Sequence, residues 1–574
     1  MSLSLSNNCL PGRVAVSQVP SDASTFLLRN LVLSLDEDEA LLPRRIAEIF
    51  SITPADIVVC RIVRKGVDAR KKPRVKFVYT VQFSVADPEV FWKKHAGHRE
   101  LELVAPLQPR SFPGIPGTKR IVVVGSGPAG LFAALRLAEY GLRPLLIERG
   151  REMAERVRDV GRFWQAGELD EESNIQFGEG GAGTFSDGKL TTRVRDPESG
   201  YVLRRLVEFG APEEISWLAK PHIGTDRLRD VVVNIRRFLA SSGVEIRFGA
   251  RLTALHSDSG RLRAVVVNDR EELPCDRLVL APGHSARDTY AMLESRGVPL
   301  ESKPFAVGVR VEHPQELINR IQYGLASHPR LSPADYALTY NDTASGRSAY
   351  SFCMCPGGVV VACSSERDGV VTNGMSSHAR NTPWANSALV ATVRREDFPG
   401  SSPLAGVEYQ RQLERRAFTL GGSDYRAPAQ NLLAFLGKGR GGAITSTYRP
   451  GVREADLEGL LPDYVARTLR DGIMSFDRKM PGFITAEATL VGVESRTSAP
   501  VRILRGDDYQ SVGLAGLYPC GEGAGYAGGI MSAALDGIRV ADAVAGGRMA
   551  SPQSAASSST TSCVKERQGG KRSP

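Results

Sequence analysis

The sequence predicts an α/β protein: a Rossmann-type dinucleotide-binding domain with an inserted mixed α+β region and a small α+β domain in front. Three observations carry this. A complete strand, glycine turn, helix and strand occupy 121–150, IVVVGSGPAGLFAALRLAEYGLRPLLIERG. Strand-like and helix-like stretches alternate after it, with long insertions. A second glycine-rich strand–turn–helix unit closes the patterned sequence at 511–546.

The elements follow in chain order. Residues 1–24 read as a disordered N-terminus. The first 21 contain no Asp or Glu and are rich in Ser, a composition shared with transit peptides. Residues 25–105 form the small domain. TFLLRNLVLSL, ADIVVCRIVRKGV and RVKFVYTVQFSV read as strands, and DEDEALLPRRIAEIF and DPEVFWKKHAG as helices. The proline- and glycine-rich stretch 106–118 is a linker. Residues 119–303 are the first part of the dinucleotide domain, with a β-rich return at 243–283. Residues 304–490 form the substrate region. FAVGVRVEH, YSFCMCPGGVVVACSSE and ALVATV give it β character, and READLEGLLPDYVARTLRDGIMSF has helical spacing. Residues 491–546 return to the dinucleotide domain, and the low-complexity tail 547–574 is disordered.

Composition narrows the class. The 574 residues are 42% hydrophobic and 24% charged, with a net charge of +9, which fits a mildly basic globular enzyme. No apolar run approaches the roughly 18 residues of a membrane span. Eight cysteines are scattered without a CxxC pair or zinc spacing. A metal site is therefore not expected, and a reducing compartment is: the cytoplasm, with a plastid as the alternative. Cys353 and Cys355 stand two apart on one face of a strand. They read as a buried strand pair before a redox or metal pair.

Each residue of the opening unit has a task. Gly125, Ser126, Gly127, Pro128, Ala129 and Gly130 form the G-x-G-x-x-G turn. Gly125 makes the tight turn, Gly127 admits a pyrophosphate, and Gly130 lets helix and strand pack. The helix N-terminus offers N–H groups and a positive dipole end to the phosphates. Glu148 ends the second strand, where a carboxylate accepts ribose hydroxyls and repels a 2′-phosphate; Arg149 follows it. Two further glycine-rich runs favour FAD over NAD. One supplies Gly180, Gly181, Gly183, Thr184 and Lys189 for the ribityl chain and pyrophosphate. The other supplies Gly521 and Glu522 for the ribitol, then Gly528, Gly529 and Ile530, where the next helix begins facing the flavin. Gly283, in LVLAPGHSA, completes the set.

At these residues the chain resembles the uncharacterised FAD-dependent dehydrogenase family of bacteria and plastids. The resemblance rests on VRKGVDARKKP, FGEGGAGTFSDGKL, YSFCMCPGGVVV, GVESRTSAPVRI and YPCGEGAGYAGGIMSAALDGIRVADAV, and spans about 25 to 545. It implies a glutathione-reductase-type FAD fold with an added N-terminal domain, and no defined substrate. Gly66-Val67 stands where family members often carry Ser-Ile.

The expected chemistry is an FAD-dependent oxidoreductase in which flavin and an organic substrate exchange a hydride. The glycine-rich run 178–190 has no cysteine, which argues against a disulfide reductase of the kind that carries its pair there. No second βαβ fingerprint is visible, and FLGKGRGG at 436–443 reads as a loop. NAD(P)H is then at most a transient electron donor, and a protein donor is the alternative. Lys189, Glu494 and Arg496 are the catalytic candidates, with Asp187, His284, Arg287, Arg347, Tyr350 and Cys353 as further candidates near the pocket. A second reading makes the protein RNA-modifying or nucleic-acid-associated through the basic run 61–76, RIVRKGVDARKKPRVK. Aromatics are not interleaved there, so a solvated turn or a docking surface is preferred. A third reading is a flavin-bound sensor without turnover.

Overall fold

The computed structural model describes residues 24–104, 112, 114, 119–192 and 196–546. The expectations for the first 23 residues, most of the linker and the tail lie outside these.

The N-terminal unit is a four-stranded antiparallel sheet in the order Ile57–Asp68, Lys76–Val85, Thr25–Ser34 and Leu101–Val104. Period-two alternation in Lys76–Val85 buries Phe77, Tyr79, Val81 and Phe83. The helix Leu42–Phe50 covers that face with Ile46, Ala47 and Phe50. The domain is docked, not tethered loosely. Lys65 N–H donates to the Trp217 carbonyl at 2.7 Å, and Ala219 N–H donates back to the Lys65 carbonyl at 2.8 Å. Part of the basic run therefore serves as an internal docking edge.

The dinucleotide domain is a five-stranded parallel sheet. Its order is Leu517–Pro519, Arg277–Leu280, Ile121–Val124, Leu145–Ile147 and Glu245–Arg247. All of Ile121–Val124 is buried, as a central parallel strand covered on both faces must be. An antiparallel meander over 252–274 precedes the strand Arg277–Leu280. The helices Pro128–Glu139 and Ile530–Ala545 pack closely because Gly537 has no Cβ; one there would lie 2.1 Å from the Ala129 carbonyl oxygen.

The third layer is a seven-stranded mixed sheet. Its order is Thr339–Asn341, Ser348–Cys355, Trp384–Val393, Phe305–Pro314, Thr489–Glu494, Ala427–Asn431 and Val452–Glu454. The boundary expected at 490/491 falls inside the strand Thr489–Glu494, so this sheet extends past it. The sequence misleads here because the strand runs straight into a polar turn leading back to the five-stranded parallel sheet. The central strand Phe305–Pro314 alternates with period two. Val307, Val309 and Val311 join one apolar core with Phe476 of the helix Asp463–Lys479 and Phe163 of Met153–Ala166. Arg310 and Glu312 point the other way, and both are fully paired. Among the described residues no helix is long and apolar enough to cross a membrane.

A candidate flavin cleft between two unlike walls

The first wall is made of backbone. The strand Ile121–Val124 ends at Gly125, whose φ of 93° lies in the left-handed region. A Cβ at Gly125 would lie 2.2 Å from the Ala281 carbonyl oxygen, and one at Gly130 would lie 1.8 Å from the Gly125 oxygen. These two glycines are therefore needed by the fold itself. Gly127 is different. A Cβ there would meet only the Gly181 Cα at 3.8 Å, an ordinary contact, and its backbone opens onto a cleft. Pro128 then starts the helix at the position where no N–H is required.

Glu148 holds this wall together. Its carboxylate accepts Ser126 N–H at 2.9 Å, the Ser126 hydroxyl at 2.8 Å, Gly150 N–H at 2.9 Å and Gly178 N–H at 3.0 Å. A carboxylate has about four acceptor sites, so all are engaged. The expected ribose contact then requires a partner to give way, and only the Ser126 hydroxyl can rotate aside. Arg149 lies over the Phe177 ring, 4.0 Å from its centroid, and pairs with Glu172 and Asp288. Arg156 is a second brace. Its buried guanidinium donates to the carbonyls of Asn174, Ile175, Glu179 and Gly181 and to the Thr184 hydroxyl. Burial lowers its pKa to about 9.

A second helix, Ile530–Ala545, also starts at the cleft. Gly529 precedes it with φ at 95°, and a Cβ at Gly529 or at Gly283 would meet no atom within 4 Å. Glu522 accepts Gly529 N–H at 3.2 Å, and burial raises its pKa above the usual carboxylate range. Two helix N-termini and three glycines that leave room for a ligand thus face one space. That geometry fits a dinucleotide pyrophosphate and its attached ring.

Gly125, Gly127, Pro128, Ala129, Glu148, Arg149, Gly181, Gly183, Lys189, Gly283, Glu522, Gly529 and Ile530 line the cleft. Ser126, Gly130, Gly180, Thr184 and Gly521 do not line it and are buried behind it, and Gly528 does not line it and is exposed. Gly180 N–H donates to the Ser126 carbonyl at 3.0 Å, and Gly521 N–H to Asp536 at 2.7 Å. Gln176, Phe177, Arg251 and Ser285 line the cleft without having been singled out; Phe177 and Gln176 stand just before the glycine run, the one available signal.

The second wall is made of side chains. Phe352, Cys353 and Asn373 come from the large sheet and its hairpin, and Arg496 and Thr497 from the turn after Thr489–Glu494. Glu494 and Arg496 do not pair with each other. Glu494 is buried behind the wall, with both carboxylate oxygens on Arg310 at 2.8 and 3.0 Å. It does not line the cleft, whereas Arg496, two residues on, lies past the end of the strand and is free of its alternation. Arg496 lines the cleft, gripped by Glu414 at 2.9 and 2.8 Å and bonded to Ser285 and Ser365. Arg287 shares Glu414, at 2.8 Å, and also pairs with Glu366. The two guanidiniums hold the Glu414 carboxyl far below its ordinary value despite burial.

Lys189 and Asp187 line the cleft side by side, 3.0 Å apart. Burial opposes the lysine's charge, but Cys355, Asp187 and Cys353 outweigh it and raise its pKa. Asp187 is also buried, yet Lys189 and Arg380 bring its pKa down to about 2. His284 lines the cleft with its Nδ1 3.0 Å from the Ser285 hydroxyl. Burial, Arg496 and Arg287 lower its pKa to about 3, so it is neutral near pH 7. Tyr350 and Arg347 are not among the lining residues; Arg347 pairs with Asp397 at 2.7 Å. The loop at 436–443 does not line it either.

Comparison with known proteins agrees with this geometry. Residues 118–162 match the family described as FAD binding domain. Residues 304–497 match that described as FAD-dependent protein, C-terminal domain-like, and 28–84 a domain of unknown function. The chain is 47% identical over 525 residues to a Clostridium beijerinckii protein described as uncharacterized, covering 90% of this chain and 97% of that one. It is 27% identical over 180 residues to menaquinone reductase of Mycolicibacterium smegmatis, or 31% of this chain and 40% of that one. It is 30% identical over 197 residues to aklavinone 12-hydroxylase of Streptomyces peucetius, or 31% and 37%.

Proposed function

We propose, because the chain belongs to the FAD-dependent protein family, that it is an oxidoreductase in which FAD and an organic substrate exchange a hydride in this cleft. The observation that carries the reading is the meeting of two helix N-termini with a charged side-chain wall across one space. The parallel sheet, its antiparallel meander and the closing strand Leu517–Pro519 favour a flavin domain of the glutathione-reductase type. The named relatives, a reductase and a hydroxylase, favour a redox role over a purely structural one.

When bound, FAD supplies a two-electron carrier. The chain's own residues do the rest. N–H groups at the start of Pro128–Glu139 would hold the pyrophosphate, and Gly127 and Gly181 would let it approach. The Ser126 hydroxyl would turn away from Glu148 and free a carboxylate acceptor for a ribose hydroxyl. The N-terminus of Ile530–Ala545 offers positive potential to the ring edge. Phe352 and Thr497 shield the opposite side from water. Lys189 keeps its proton at Nζ and supplies charge, not acid–base exchange. His284 holds one ring nitrogen unprotonated, within reach of the Ser285 hydroxyl. Arg496 orients an anionic or carbonyl oxygen of the substrate, since Glu414 fixes its guanidinium plane.

The test is the absorbance of the purified protein followed by anaerobic titration with NADH and NADPH. Bands near ~370 and ~450 nm are expected of a bound flavin. Bleaching by a pyridine nucleotide identifies a transient donor; a yellow protein that stays oxidised directs the search to organic or protein donors. A colourless, folded protein that takes up no added FAD overturns the reading.

A further inference from the structure

Two cysteines of the side-chain wall do not behave as packing residues. Cys353 lines the cleft opposite the glycine wall and is partly exposed; Cys355 lies directly behind it, fully buried. The chain between them is not a regular strand. Cys353 has φ at 44°, in the left-handed region, and the pairing with Trp384–Val393 shifts register between Phe352 and Cys355. A non-glycine residue held there is strained, and such residues are found preferentially at functional sites. The turn folds Cys355 back on Cys353: Cys355 Sγ donates to the Cys353 carbonyl at 3.3 Å.

Two cations clasp this turn. The Lys189 ammonium bonds to the Met354 carbonyl, and Arg310 Nη1 donates to the Cys353 carbonyl at 3.2 Å. The thiol of Cys355 and these two cations lower the pKa of Cys353, although burial and Glu494 oppose it; the thiol of Cys355 is pushed up. One sulfur is therefore poised as a thiolate and its neighbour holds a proton, the asymmetry that reactive dithiols share. The other described cysteines lack it: Cys275, Cys363 and Cys520 are buried, and burial raises the thiols of Cys60, Cys275, Cys363 and Cys520.

We propose that Cys353 and Cys355 are a dithiol–disulfide couple that exchanges two electrons with the flavin bound in this cleft. The inference rests on the FAD reading above. In the oxidising direction the Cys353 thiolate and the Cys355 thiol form one S–S bond. Their two electrons and the Cys355 proton pass to oxidised flavin, which becomes the singly protonated, anionic reduced form. In the reverse direction reduced flavin returns both electrons and the proton, and the S–S bond breaks. The glycine-rich run carries no cysteine, so the couple approaches the flavin from the substrate side of the cleft.

The experiment uses the yellow holoprotein. Its spectrum comes first: a colourless protein overturns the FAD reading and this couple with it. The yellow protein is then air-oxidised, acid-quenched, alkylated and mapped by mass spectrometry, and a portion is photoreduced before quenching. A 353–355 disulfide is expected before photoreduction and two alkylated thiols after it. Reductive titration should consume about four electrons per flavin, against about two in Cys353→Ser and Cys355→Ser. Free thiols at both positions in the oxidised protein, with about two electrons per flavin, overturn the proposal and leave the FAD reading standing. So does a disulfide that persists once the flavin is fully reduced. The mapping needs no variant, so a substitution that fails to fold does not block it.

Discussion

The two walls of the cleft are built by opposite means. The glycine wall presents backbone: turns at Gly125 and Gly181 and two helix starts, braced by Glu148 and Arg156. The facing wall presents side chains, and its rigidity comes from buried ion pairs between residues far apart in sequence, Arg310 with Glu494 and Arg496 with Glu414. A backbone wall suits a cofactor that is always the same, because N–H groups and dipoles need no particular side chain. A side-chain wall suits a substrate, because its groups can be exchanged without changing the fold.

The contrast can be broken most sharply within the fingerprint. Gly130→Val should leave no soluble flavin domain, because the Gly125 oxygen already occupies the place of a Cβ. Gly127→Val should instead give a folded protein whose flavin content falls more than about tenfold, since its space belongs to the ligand. Absorbance and melting temperature together separate the two outcomes. A fully flavin-loaded Gly127→Val would sink the assignment of this turn to the cofactor.

On the facing wall, Arg310→Met should destabilise by about 3–5 kcal/mol in chemical denaturation, because Glu494 is left charged and buried. Arg310→Met with Glu494→Leu should recover most of that loss. No recovery in the double variant would mean that Arg310 acts through its bonds to Asn386 and Cys353 instead. Arg156→Lys should cost on the order of 2–3 kcal/mol, because several carbonyls lose a charged donor. It should also weaken flavin binding, which equilibrium dialysis reads directly.

Acid should act through three buried histidines. Burial lowers His222 to about 4, His284 to about 3 and His313 to about 4. Each is neutral in the folded protein while its unfolded form takes up a proton near pH 6.5. The unfolded state binds more protons in that window. Stability is thus complete above about pH 6.5 and falls as the pH drops toward 4. Melting temperature against pH should show the fall, and His284→Asn should flatten it. The smallest effect belongs outside both walls: breaking the exposed pair of Arg44 and Glu48 should leave the melting temperature unchanged.

Sequence patterns and tertiary contacts contribute unequally to these walls. The fingerprint, both helix starts and the alternating strand Phe305–Pro314 are legible because their causes are local: a turn that only glycine can make, a period of two, a strand of apolar residues. The role of Arg156 is not legible, because its acceptors are main-chain carbonyls that any residue would carry. Nor is the fate of GVESRT. Glu494 and Arg496, two apart, look like natural partners, yet one finds Arg310, 184 residues away, and the other Glu414, 82 residues away.

The amino-acid sequence by itself determined the α/β class and the place of the glycine-rich turn after the first strand, since glycine geometry and hydrophobic period act over a few residues. Only the tertiary structure decided which charges pair, which predicted residues stand behind the cleft, and that Cys353 lines the cleft while Cys355 is buried behind it. Burial and ion pairing depend on distances between segments, and the folded chain alone sets those.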